Sequence, residues 1–380
     1  MRPSKARILK IITLALVLMS ALLSVSCGNE GQRVTRRLED LGIPLAERYD
    51  GEDVSMMLSR RSEDLIVYDG HLYVGCGDYS ANTGPVSVYS YDLSARQWQV
   101  SAEALEDEQI KRFLVLDGAL CIVGTDPRGD WTMGNYYLLE NGAWQTVRAL
   151  PDGIHCFDGV VFEGKTYFGL GVNSGSFPVV VEANASFVPV PFLRDGEPLD
   201  TSGAEYVRVY NFAIFDGALY AFLTLGNEDD LAYDVYRFDG ENFHYFSSLP
   251  EIFRRGYDLA HVLSFGDMSV YINGYCYFIT EDMETFRPWR VGDSDLACDM
   301  EIIGDTLYVL AYRELSGGYE TAVYASRDGR EFQKLFYFED TIPAASFAYA
   351  DGEFFFSMGR YYDADDANIG RVYALNYAID

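Results

Sequence analysis

The sequence predicts an all-β protein: a seven-bladed β-propeller of four-stranded antiparallel blades, closed by an N-terminal strand. Three observations carry this reading. A short phrase recurs seven times, with a spacing of about 47 residues between Gly70 and Gly352. Each interval holds period-two, aromatic and β-branched runs separated by tight polar turns. No amphipathic helical pattern follows residue 45.

The recurring phrase is an apolar pair, an acidic-Gly turn and a second apolar strand. It reads Val67-Tyr68-Asp69-Gly70-His71-Leu72-Tyr73-Val74 in the first copy, and Val115-Leu116-Asp117-Gly118-Ala119-Leu120 in the second. It returns at Phe162-Glu163-Gly164, Phe215-Asp216-Gly217 and Ala350-Asp351-Gly352, with weaker copies at Phe265-Gly266-Asp267 and Ile303-Gly304-Asp305. Such dipeptides favour two-residue hairpins. Between the copies, another apolar strand runs through a polar turn to an aromatic residue that opens a fourth: Trp98, Trp144, Phe187, Phe243, Phe286 and Phe332. The fifth unit is compressed, with Asn273-Gly274 as its middle turn. The last unit runs out after Val372-Tyr373-Ala374-Leu375. An unpaired edge strand invites aggregation, so a strand within residues 43–58 is expected to complete it.

Composition bounds the function. The 380 residues include 29 basic and 58 acidic ones, a net charge of -29. A nucleic-acid partner is excluded for want of a basic footprint, and electrostatic docking on anionic lipid is disfavoured.

The first 27 residues read as an address. Arg2, Lys5, Arg7 and Lys10 precede an uncharged stretch, Ile11 to Leu23, which suits a signal-peptide core and is short for a membrane span. Ser24-Val25-Ser26-Cys27 resembles the bacterial lipobox, although Leu23 lies four residues before the cysteine and Ser24 three before. The resemblance implies cleavage before Cys27 and its lipidation. An ordinary signal peptide cut nearby is the alternative. Cleavage would make the charge balance four units more negative, because residues 1–26 carry four basic and no acidic side chains. The expected organisation is therefore a signal peptide over residues 1–26, a tether over 27–42 and one propeller domain over 43–380, lipid-anchored outside the cytoplasmic membrane in the cell envelope. Cys76, Cys121, Cys156, Cys276 and Cys298 lack metal-site spacing and read as small buried strand residues; a single disulfide stays open.

Over residues 43–380 the pattern resembles the broad Kelch-like and sialidase-like propeller superfamilies. Ser326-Arg327-Asp328-Gly329-Arg330-Glu331-Phe332 is similar to an Asp-box, one residue short and with Phe for Trp. Thr280-Glu281-Asp282-Met283-Glu284-Thr285-Phe286 is a second, lacking the Gly. An Asp-box braces a hairpin, so the resemblance implies fold rather than activity. Sialidase chemistry would need converging arginines, and no Arg-Ile-Pro-like motif is present near the first blade. Arg112, Arg208, Arg313 and Arg360 read as surface or rim residues that could point toward the axis. The Kelch double-Gly signature and the Trp-docking repeat of quinone enzymes are absent.

Loop lengths place a working face. Turns between first and second strands are tight, whereas second-to-third loops are long and gather on the opposite face. These loops present Asp78, Tyr79, Asp126, Arg128, Asp130, Trp131, Tyr312, Arg313, Arg360, Tyr361 and Tyr362 as candidate ligand-binding residues. Exposed rings beside hydrogen-bonding groups suit sugars and peptides; solvated loops resting on the sheets below are the alternative. Asp363, Asp365 and Asn368 are weak Ca²⁺ candidates without the Gly and Glu of a calcium loop. His71, His155, His244 and His261 form no zinc pair, and His155 and His261 fall where they could line the channel. No phosphate loop, dinucleotide fingerprint or nucleophile elbow occurs, and no cofactor is expected.

The functional expectation is a tethered binding or scaffold module for a glycan or protein ligand. The alternatives are an exported carbohydrate-active hydrolase, which needs paired carboxylates in the central cleft, and a component of an envelope assembly, which needs an exposed apolar patch.

Overall fold

The computed structural model describes residues 31–49, 59–129, 132–173, 180–183, 187–227, 230–250, 261–274, 276–292, 296–359 and 366–379. Of these, 65% lie in strands, and none forms an α-helix.

Two short strands come first, β1 (Gln32–Arg33) and β2 (Glu39–Gly42). The repeats then fold one after another as antiparallel runs. The first is β3 (Leu65–Tyr68), β4 (His71–Val74), β5 (Val86–Asp92) and β6 (Gln97–Leu105). The second is β7 (Asp107–Leu116), β8 (Ala119–Pro127), β9 (Met133–Glu140) and β10 (Ala143–Pro151). The third is β11 (His155–Phe162), β12 (Lys165–Asn173), β13 (Val180–Glu182) and β14 (Val188–Pro189). A small hairpin, β15 (Phe192–Arg194) and β16 (Glu197–Pro198), follows.

The fourth unit is β17 (Tyr206–Phe215), β18 (Ala218–Asn227), β19 (Asp230–Phe238) and β20 (Phe243–Ser248). The fifth is β21 (His261–Phe265), β22 (Met268–Asn273), β23 (Cys276–Thr280) and β24 (Arg287–Trp289). The sixth is β25 (Leu296–Ile303), β26 (Thr306–Leu315), β27 (Gly318–Ser326) and β28 (Gln333–Asp340). The last contributes β29 (Ala344–Ala350), β30 (Glu353–Met358) and β31 (Val372–Asn376).

The turn chemistry explains the local register. Asp69 and Gly70 both take positive φ, 47° and 73°, as a type I′ hairpin demands, and the pairs at 117–118, 216–217 and 351–352 do likewise. At Gly304-Asp305 only the glycine is left-handed, at φ 65°.

β2 supplies the fourth strand of the last unit, with Glu39 opposite Ala374 and Asp40 opposite Tyr373. It precedes the span of 43–58 in which that strand was expected, and it lies within the expected tether. The acidic Glu39-Asp40 pair masks the strand in the sequence, but each side chain has a cation. Arg96 bridges Glu39 and Glu353 at 2.6 and 2.9 Å, and Arg371 pairs with Asp40. β1 pairs in parallel with β28, and Val34 is buried beside it. Residues 31–42 are thus part of the fold, which corrects both the tether's end and the domain's start. Residues 50–58 lie outside the described residues.

Each first strand lies beside the first strand of the next unit, and β29 of the last unit lies beside β3 of the first. The apolar clusters sit between units. One joins Leu72, Tyr73 and Ile110 to Ala348, Phe355 and Val372 of the last unit. Another sets Phe336 and Phe338 against Phe347, Phe354 and Phe356. Each fully buried ring or aliphatic side chain contributes about 1.5–3 kcal/mol, and neither face of a single unit could hide them alone. Cys76, Cys121, Cys156 and Cys298 are buried, Cys276 is half-buried, and all five are free thiols.

Candidate functional site

Each first strand has a polar residue at one equivalent position, four before its last residue, which in the first unit falls just ahead of β3. Taken in order these are Asp64, Arg112, Asp158, Asn211, His261, Asp299 and Ser346. Four of the strands have a register shift immediately before this position, between Cys156 and Asp158, Val209 and Asn211, Ala297 and Asp299, and Ala344 and Ser346. Bulges re-aim side chains in this way.

Four of these residues tie one unit to the next. Asp64 Oδ2 accepts the main-chain N–H of Phe113 at 2.6 Å, and Asp158 Oδ2 accepts that of Phe212 at 2.8 Å. Asp299 Oδ2 accepts from Phe347 N at 2.9 Å and from the Ser346 hydroxyl at 2.6 Å. Ser346 Oγ in turn accepts from Leu65 N at 3.0 Å, joining the last unit to the first.

The same strands enclose a cavity of about 600 Å³. Asp64, Arg112, Asp158, His261, Asp299 and Glu301 line its polar part, and Ile66, Leu114, Val160 and Val262 line its apolar part. Arg112 lies 3.2 Å from Asp158, and His261 Nδ1 lies 3.3 Å from Asp299. Arg112 is therefore a channel residue, not the surface or rim residue the sequence suggested. Burial, followed by the Asp299 charge, pushes Asp64 up to about 7. Burial, reinforced by Asp299 and Asp64, pushes Glu301 up to about 8. Asp158 is also raised by burial, against the opposing pull of Arg112. Glu301 differs from the three aspartates: its Oε2 is buried without a hydrogen-bond partner.

A second polar group lies where the long loops meet the first strands. A row of paired residues crosses three units here: Gln109 opposite Thr125, Thr125 opposite His155, His155 opposite Gly171, and Gly171 opposite Arg208. His155 Nδ1 is 3.0 Å from Asp126 Oδ1, without the alignment of a hydrogen bond. Burial raises Asp126 to about 6, while Lys111 and Arg208 oppose that rise. Burial, with the same two cations, lowers His155 to about 3. Lys111 sits over the Tyr79 ring at 4.5 Å, and Arg208 sits over Tyr206 at 4.7 Å.

The other loop residues are dispersed. Asp78 is buried and accepts from Ser80 N at 3.0 Å, which makes it a turn residue. Arg128 donates to the Gly84 carbonyl at 2.8 Å. Tyr312 and Arg313 are residues of β26, not of a long loop as expected: the β26–β27 turn is tight, Tyr312 is buried edge-on to Tyr319, and Arg313 pairs with Glu320 at 2.6 Å. Asp130, Trp131, Arg360, Tyr361, Tyr362, Asp363 and Asp365 lie outside the described residues. Asn368 spends its amide on Asp340 and Arg371, at 2.9 and 3.0 Å. Among the described residues no group of three or more His, Cys, Asp or Glu side chains could hold a metal.

Both degenerate Asp-boxes have brace geometry. Asp328 Oδ1 accepts from Arg330 N and Glu331 N at 2.8 and 2.7 Å, and Ser326 Oγ accepts from Gly329 N at 2.9 Å. Asp282 and Thr280 repeat this with Glu284, Thr285 and Met283, whose φ of 60° stands where Gly329 has 68°.

No protein-family model matches the sequence, and no curated protein matches it. Among solved structures the chain is similar to one in a structure described as "Crystal Structure of Mitotic Checkpoint Complex". The identity is 9%, the match covers 93% of this chain and 96% of that one, and the TM-score is 0.52. It is less similar to a prolyl endopeptidase (9% identity, 83% and 48% covered, TM-score 0.45) and to the acylaminoacyl peptidase of Pyrococcus horikoshii (9%, 80% and 50%, 0.47). At such identity the first likeness shows fold alone. The class it defines is a nearly all-β, β-propeller-like protein.

Proposed function

We propose that the protein is a closed seven-bladed propeller of the Kelch-like or sialidase-like type, exported and lipid-anchored at Cys27 outside the cytoplasmic membrane. There it acts as a ligand-binding module, with a glycan as its ligand and the long-loop face as its working face. One observation carries the binding reading over the catalytic one. Of the carboxylates lining the axial cavity, Asp64, Asp158 and Asp299 each hold a main-chain N–H of the neighbouring unit. Groups committed in this way position backbone and are poorly placed to shuttle protons. The cavity volume, about 600 Å³, falls in the range of small-ligand sites.

The hydrolase reading keeps one support. Glu301 is an acid raised to about 8 with an unpartnered buried oxygen, a state suited to proton donation. The assembly reading has less: exposed large apolar residues such as Val100, Val115, Val188 and Trp289 are spread over different strands. A glycan array probed with the purified protein tests the proposal. Retention of defined glycans, without their cleavage, supports it. Turnover of a glycoside that Glu301→Gln abolishes would replace it with the hydrolase.

A further inference from the structure

The axial cavity is acidic, and so is the chain as a whole, at -29. The mouth, where the long loops meet the first strands, carries cations as well. The row of paired residues sets Gln109, two residues from Lys111, and Arg208 on either side of Thr125 and His155, and both cations act on Asp126 and His155. His155 is held neutral there, so both cations face the Asp126 carboxylate, which also interacts with Asp107 and Glu108. The Arg208 Nε is buried without a hydrogen-bond partner, as is His155 Nδ1. The Lys111 ammonium has the Tyr79 ring for company, and Arg208 Nη1 donates to the Tyr210 hydroxyl at 3.1 Å. A half-buried guanidinium with an orphaned donor is costly unless something accepts from it.

We propose that the mouth formed by Lys111, His155 and Arg208 is a receptor for one carboxylate carried on a small sugar ring, a uronate-type ligand. This rests on the ligand-binding reading and narrows it. Lysine supplies a point charge and arginine a planar fork that fits a carboxylate. The exposed Tyr79 ring and the half-buried Tyr206 ring flank the cations and offer faces for sugar C–H groups. Asp126 is an acceptor for a ring hydroxyl. The negative body of the protein does not forbid such a ligand. At physiological ionic strength, charges more than about 8 Å away are largely screened, so a ligand feels chiefly the groups it touches.

Titration calorimetry of the protein with glucuronate, glucose and acetate tests this. The expected result is glucuronate binding at least tenfold tighter than either the neutral ring or the bare carboxylate. Arg208→Gln and Lys111→Gln should each weaken glucuronate at least fivefold, and Arg208→Lys should restore part of the loss, with melting temperatures near the parent's. If Arg208→Gln does not fold, Lys111→Gln carries the test. Its ammonium makes no hydrogen bond to a described residue, so its removal spares the fold. Glucuronate binding no tighter than glucose, or unmoved by both charge removals, overturns the proposal. So does binding of an acidic peptide in its place. Neutral glycans binding where glucuronate does not would sink the uronate receptor and leave the ligand-binding reading standing. If no sugar binds, acidic or neutral, both fall.

Discussion

Asp299 and Phe347 belong to neighbouring units, yet the Asp299 carboxylate holds the Phe347 main-chain N–H at 2.9 Å. Asp64 with Phe113 and Asp158 with Phe212 repeat the arrangement at other junctions. The first strands have their other edge partners within their own units, so a side chain from the adjacent unit satisfies an N–H that water would otherwise have to reach. The ring polarity is in this sense structural before it is functional.

Removing one latch should therefore weaken the whole fold. Asp158→Ala leaves the Phe212 and Gly159 amides without their acceptor and takes a partner from Arg112. The expected cost is about 2–4 kcal/mol, read as a lower urea midpoint. Asp158→Asn, which keeps an acceptor, should cost less.

The acidic cavity sets a pH dependence. Asp64 and Glu301, raised to about 7 and about 8 in the folded state, stay protonated where the unfolded chain has already ionised. The native state thus binds more protons across roughly pH 4–8, and stability falls as pH rises through that window. Chemical denaturation at pH 5.5 and pH 8.5 checks it. Glu301→Gln should flatten the slope and raise stability at the alkaline end.

The Asp-box braces should matter for stability and not for ligand. Asp328→Ala frees the Arg330 and Glu331 amides on an exposed turn. A loss of about 1 kcal/mol is expected, with glycan retention unchanged. A variant that binds less while melting normally would place this turn in the binding face.

The N-terminal strand should keep the protein monomeric. Without residues 31–42, the β31 edge and the outer edge of β28 are bare. Such edges recruit other chains. Deletion should produce higher oligomers on size-exclusion chromatography, whereas the chain starting at residue 31 should elute as a monomer.

Much of this was legible in the sequence because turn chemistry is local. The Asp69-Gly70 pair states its own φ requirement, and the same words recur down the chain. β2 was misplaced because Glu39 and Asp40 read as solvated linker, and the arginines that neutralise them, Arg96 and Arg371, are far away in sequence. The polar ring escaped notice for another reason. Its position is fixed, six residues before the second turn residue, but its occupants differ: Asp64, Arg112, Asp158, Asn211, His261, Asp299, Ser346. A search by residue type cannot find it, and a search by offset from each turn would. Of the loop residues, Tyr79 and Asp126 fall together at the mouth. Their cationic neighbours Lys111 and Arg208 come from inner strands that a loop-centred reading passes over.

In the proposed closed propeller the N-terminal strand completes the last unit. A cysteine pair at Asp40→Cys and Tyr373→Cys, built in a background free of other cysteines, tests it directly, because these residues are register partners. Oxidation should give an intrachain bond in a monomer, seen as a faster-running band that reduction abolishes. Failure to form that bond, or its appearance only between chains, would contradict the proposed closure.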